Sequence, residues 1–142
     1  MTAVDERLVA ALQAEHAAIY GYGVAGSKLD GTSINLARNA DAAHRTRRDA
    51  LFVRLAGDGV TPPPNAPAYQ LPFPVTDRAS ALKLIVLMEE RTAAQWRLAL
   101  PVSTGEVRRL ALDALIDCTT RAVNFRQAAS ITPVSTAFPG VV

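Results

Sequence analysis

The sequence predicts an all-α protein: a four-helix bundle of two antiparallel helical hairpins joined by a long proline-rich crossover. Three observations predict it. Four long segments rich in Ala, Leu, Arg and Glu run without a proline, and these residue types favour helix. No sustained apolar/polar alternation bounded by turn residues marks a strand. The connections are unequal, with two short links on either side of the stretch "GDGVTPPPNAPAYQLPFPVT", which holds six of the nine prolines.

The first helix is expected over residues 3–28, where "LDGTS" stops it. The second follows Thr32 or Ser33, either a fair N-cap, and covers 33–56 with Gly57 as the residue past its end. Residues 57–76 form the crossover. The third helix begins after Thr76 or Asp77 and covers 77–100, before Pro101. The fourth opens on Ser103-x-x-Glu106, a capping-box signature, and covers 104–130. The tail 131–142, with Pro133 and Pro139, is expected to be extended and to pack on the bundle or on a neighbour. Short links make antiparallel hairpins. The crossover near polyproline spacing reaches ~60 Å at ~3.1 Å per residue. A helix of this length spans only ~36 Å, so the crossover can travel the length of the bundle.

The core register places polar residues in the middle of every seam. On the first helix it reads Leu8, Leu12, Glu15, Ile19, Tyr22, Gly26. On the second it reads Ile34, Ala37, Asp41, His44, Arg48, Leu51, Leu55, and on the third Leu82, Ile85, Glu89, Thr92, Trp96, Ala99. The fourth offers two stripes. One contains Val107, Leu110, Ala114, Asp117, Arg121 and Asn124; the other, more apolar, contains Ala111, Leu115, Cys118, Ala122, Phe125 and Ala129 and leaves Asp117 at its flank. The helix midpoints fall at about residues 15, 44, 88 and 117, beside Glu15, His44, Glu89 and Asp117. Antiparallel packing brings these to one level. Buried carboxylates need a metal, arginines or shared protons to neutralise them, so this layer is the candidate site.

The stretch "EHAAIYGYGVAG" on the first helix, with "DAAH" on the second, resembles the ferritin-like superfamily, and most of all the actinobacterial ferritin-like domain of unknown function. The resemblance covers nearly the whole chain. It implies metal-ligand roles for Glu15, for Asp41 and His44 in a D-x-x-H, and for Glu89. The fourth helix departs from the pattern, offering Asp117-x-x-Thr120 where a Glu-x-x-His is expected. Arg48 and Arg121 stand one turn from His44 and Asp117 and could supply cationic charge within the protein. The residues therefore favour a degenerate, metal-free carboxylate/His/Arg centre in a structural or interaction protein, with no cofactor. The alternative is a single Fe or Mn ion on Glu15, Asp41, His44 and Glu89, making a metal-dependent oxidase or peroxide-handling protein. No catalytic residue is assigned.

Gly21-Tyr-Gly23-Val-Ala-Gly26 spells a dinucleotide fingerprint. Helical periodicity runs straight into it with no preceding strand, so the glycines read as points of close helix approach. His16 points about 100° from Glu15 on a helix and reads as a flank or interface residue. Tyr20 and Tyr22 read as packed rings with bonded hydroxyls, Trp96 as core, and Cys118 as a small core residue. Arg38, Arg45, Arg47 and Arg54 give the second helix a basic exterior, the usual solvated face.

The net charge of +2 lacks the concentrated basic face of a nucleic-acid binder. One cysteine permits no disulfide framework, and no apolar signal segment leads from Met1. A cytoplasmic protein without membrane contact is expected. Ala- and Gly-rich helix faces and an apolar tail suggest a homodimer.

Overall fold

Thr2 starts the first helix with a reciprocal cap. Its hydroxyl accepts from the Asp5 N–H at 3.1 Å while the Asp5 carboxylate accepts from the Thr2 N–H at 2.8 Å. The computed structural model describes residues 1–141; Val142, the end of the expected tail, lies outside the described residues. The helices are α1 (Ala3–Gly26), α2 (Gly31–Gly57), α3 (Arg78–Ala99) and α4 (Gly105–Ala129), with a short 3-10 turn at Leu100–Val102. No strand occurs among the described residues. The molecule is a four-helix bundle.

Several helix ends differ from expectation for local reasons. Asp30 occupies the N-cap position of α2 without a side-chain capping bond, and Gly31 enters it at φ +54°, a left-handed conformation open to glycine, so the helix starts ahead of Thr32 and Ser33. At the other end α2 includes Gly57, and Gly59 is the glycine that turns the chain, at φ +75°. Asp77 caps α3 as expected, paired reciprocally with Ser80. The Ser103/Glu106 box does not form: Thr104 is the N-cap residue, and the Ser103 hydroxyl donates back to the Leu100 carbonyl.

α3 packs most heavily on α4 and α1, α1 also packs on α2, and α2 meets α4 sparsely. The core has two apolar halves. In one, Leu8 and Leu12 of α1 meet Leu51 and Leu55 of α2, Trp96 of α3 and Ala111 of α4. In the other, Tyr22, Ala37, Ile85 and Phe125 come together from the opposite ends of the same helices. Adjacent helices are thus antiparallel, and the mid-helix polar residues lie between the halves.

The crossover runs beside α1 and α3, laying Leu71, Phe73 and Val75 against Ala18, Leu84 and Met88. His16 is buried beneath it and donates from Nε2 to the Pro63 carbonyl at 3.0 Å, so it holds the crossover instead of facing a partner. The tail folds back on α3, where Gly140 (φ +80°) sits so close that a Cβ would lie 2.9 Å from Arg97 and 3.1 Å from the Ala93 carbonyl oxygen.

Candidate functional site

His44 projects from the middle of α2 into the layer between the two apolar halves and is fully buried. Nδ1 lies 2.5 Å from Glu15 Oε2, and Nε2 lies 2.7 Å from Glu89 Oε1. Both carboxylates are as buried as the ring. The Trp96 indole N–H donates to Glu15 Oε1 at 2.8 Å, and the Tyr22 hydroxyl donates to Glu89 Oε1 at 2.5 Å. Each of these side chains enters from the core-facing stripe of its helix, so the pattern that builds the bundle also aims the site inward.

Arg47 extends the network. Its Nε donates to Glu15 Oε1 at 2.8 Å and its Nη1 to Asp117 Oδ2 at 2.7 Å, linking α2 to α1 and to α4 where α2 and α4 otherwise touch little. Nη2 lies 3.5 Å from Cys118 Sγ and 3.1 Å from His44 Nδ1. Arg121 donates to Asp117 Oδ2 from one turn along α4 at 3.0 Å. The two cations nearest Glu15 crowd each other, and the carboxylate they share holds them together.

Electrostatics follow the geometry. Burial alone would push the His44 imidazole down, but the charges and hydrogen bonds of Glu89 and Glu15 outweigh it and raise its pKa from 6.5 to about 9. Burial favours a neutral Glu15, yet His44, Arg47 and Trp96 hold its carboxyl below the usual range. Asp117 is lowered likewise: its hydrogen bonds from Arg121 and Arg47 overcome the cost of partial burial. Burial and the Glu89 charge push both the Cys118 thiol and the Tyr22 phenol well up, so each stays neutral.

A family model described as a domain of unknown function, DUF4439, matches residues 7–142. The chain belongs to the DUF4439 family. It is also similar to the crystal structure of a conserved hypothetical protein, rv2844, from Mycobacterium tuberculosis, at 35% identity and a TM-score of 0.86, over 90% of this chain and 98% of that one. No curated protein matches.

In this DUF4439 chain the expected site residues divide. Glu15, His44 and Glu89 converge, and Asp117 with Arg121 lies at the flank through Arg47. Asp41 does not join them: its Oδ2 accepts from Arg45 Nε at 3.0 Å, and its Oδ1 is buried without a hydrogen-bond partner among the described residues. Arg48 does not join them either, since its Nε donates to exposed Asp49. Arg47, expected on the basic exterior, is the buried arginine of the centre. Of the rest of that exterior, Arg45 pairs with Asp41 and Arg54 with Asp58, and Arg48, expected on the core seam, joins it in a pair with Asp49.

Two signals favoured this outcome. Asp41 and Arg45 stand at i,i+4, the spacing of a surface ion pair. Choosing Arg47 also puts Ala40, not Asp41, on the core stripe. Cys118 was expected as core packing, yet its Sγ, a His44 ring nitrogen and a Glu89 oxygen lie within 4.8 Å of one another. That cluster of possible metal donors has no spacing motif in the sequence to reveal it.

Proposed function

We propose that this chain is a ferritin-like bundle whose centre is a structural ion network, and that it acts through its surface as a homodimeric cytoplasmic interaction protein, without catalysis. The observation that carries the reading is the commitment of both His44 ring nitrogens to carboxylates, at 2.5 and 2.7 Å, with a pKa of about 9. An imidazolium fills the centre, and a metal ion would have to displace its protons. The formal charges cancel within the chain: Glu15, Glu89 and Asp117 against His44, Arg47 and Arg121.

A two-metal ferritin-like set does not fit these residues. Asp41 is turned to Arg45, and the Thr120 hydroxyl donates to the Ile116 carbonyl at 2.8 Å, which leaves no second imidazole or its substitute. The lone cysteine, buried beside Arg47, suits a reducing compartment. Leu112 and Ile116, 45% and 55% exposed one turn apart on α4, offer an apolar strip for a second copy.

One observation favours a second reading, a metal-dependent oxidase or peroxide-handling protein. Glu89 Oε2 is buried without a hydrogen-bond partner among the described residues, beside Cys118 and His44. A single first-row transition metal is compatible with such N, O and S donors and would supply redox or Lewis-acid chemistry. Anaerobic loading of chelator-stripped protein with Fe(II) or Mn(II), followed by elemental analysis, separates the readings. Substoichiometric metal and no metal-dependent oxygen consumption are expected at neutral pH. Stoichiometric binding with rapid oxygen uptake would overturn the structural reading.

A further inference from the structure

We propose that the open cleft between α1, α2 and the crossover binds a small planar organic anion, an aryl carboxylate or aryl phosphate. The cleft encloses about 410 Å³, within the usual range of ligand pockets. It lies outside the buried centre, and the proposal does not depend on whether that centre takes metal.

Charge comes first. Arg45 and Arg48 line the cleft, and no Asp or Glu does so among the described residues. Each arginine spends only its Nε on the chain, toward Asp41 and Asp49, so their terminal Nη atoms make no hydrogen bond among the described residues. Spaced three apart on a helix, they share one rim. Two guanidinium forks with free N–H groups match a carboxylate or phosphate. Tyr20 and Tyr69 supply the aromatic wall, their ring centroids 5.4 Å apart and their planes tilted by 51°. The His16 bond to the Pro63 carbonyl anchors the crossover beside them.

Gly23 supplies an independent argument. A glycine inside a helix weakens it relative to alanine, so its presence needs a reason. Gly21 has one: a Cβ there would meet Met88 Cγ at 3.0 Å. Gly23 has none among the described residues, for a Cβ would meet nothing within 4 Å there and its φ is not left-handed. It lines the cleft, where a side chain would fill the space between arginines and tyrosines.

Titration of the full chain with phenyl phosphate and with benzoate, followed by NMR and calorimetry, tests the site. Saturable one-to-one binding with Kd below about 1 mM is expected, with inorganic phosphate and phenol each weaker by about tenfold or more. Arg48→Ala and Gly23→Leu should each weaken binding by about tenfold or more. Arg38→Ala, on α2 but outside the cleft, should leave it unchanged. Thermal melting shows whether Gly23→Leu is folded, and Tyr69→Ala replaces it in the test if it is not. Absence of saturation by about 10 mM overturns the proposal. So does binding as tight in Arg48→Ala as in the parent, or inorganic phosphate binding as tightly as phenyl phosphate.

Discussion

His44 holds two buried carboxylates apart, and its loss would leave both without their nearest cation. Stranding a buried charge typically costs about 3–5 kcal/mol. His44→Ala and Arg47→Ala are therefore expected to lower the unfolding free energy by about that much in urea titrations, whereas Arg48→Ala, whose partner Asp49 is exposed, should cost no more than about 1 kcal/mol. Equal losses for Arg47→Ala and Arg48→Ala would mean that the network does not carry the load. Arg121→Ala should also stay near about 1 kcal/mol, because Arg121 and Asp117 are partly solvated, at 22% and 32% exposed. The pH dependence has a definite sign. The folded-state pKa of His44 is raised, from 6.5 to about 9, so its contribution is fully present below pH 6.5 and is lost as pH rises through about 9. The unfolding free energy from urea titrations should fall over that window, by on the order of 3 kcal/mol; a stability that climbs would refute the imidazolium. Glu15 and Asp117 have lowered values, so their contribution disappears only as acid takes the pH below the usual carboxylate range. Glu15, His44 and Glu89 were legible in the sequence because each falls mid-helix on an apolar stripe. Arg47 was not, because from His44 a step of three or of four leads equally well to Leu51; the Asp41–Arg45 spacing only hints at the choice that packing against Asp117 settles.

At the scale of the helix, Gly21 and Gly23 are neighbours with opposite expectations. Gly21 lets α1 approach Met88 of α3, so Gly21→Leu should overpack that contact and cost about 1–3 kcal/mol. Gly23→Ala meets nothing within 4 Å and should stabilise by about 0.5–1 kcal/mol. Thermal melts of the two variants should move in opposite directions. The glycine motif was rightly read as helical, but sequence spacing cannot say which glycine faces a neighbour, since that depends on the rotation of α1 against α3. The helix ends were legible where the capping residue also bonds, as at Asp77. They were misread where glycines in left-handed conformations start the helix, as at Gly31 and Gly105.

For the whole molecule, α4 carries the surface of the proposed dimer. Leu112 and Ile116 lie on the outer face of α4, so Leu112→Glu with Ile116→Glu should give a monomer in light scattering while leaving the helical signal intact. A parent chain that is already monomeric at high micromolar concentration would remove the basis for this. The bundle itself was the most legible feature, because proline-free segments, two short links and one long link leave few other ways to bury four amphipathic helices. The tail was expected to pack somewhere, but its seat against Arg97 and Ala93 depends on surfaces brought together by the fold.

The position of the charged layer has a consequence for how this chain can change length. Because the layer crosses all four helices near their centres, each helix is in effect measured outward from its middle, as a ruler with zero at its centre. Adding or removing a turn at an outer end leaves every distance to that zero intact. One residue inserted between Leu12 and Glu15 would rotate the carboxylate by about 100° and carry it ~1.5 Å along the axis, away from His44 and Arg47 together. Length variation among chains of this design should therefore collect at the hairpin tips and in the crossover, and the spans between the tips and the centre should change only by compensated pairs.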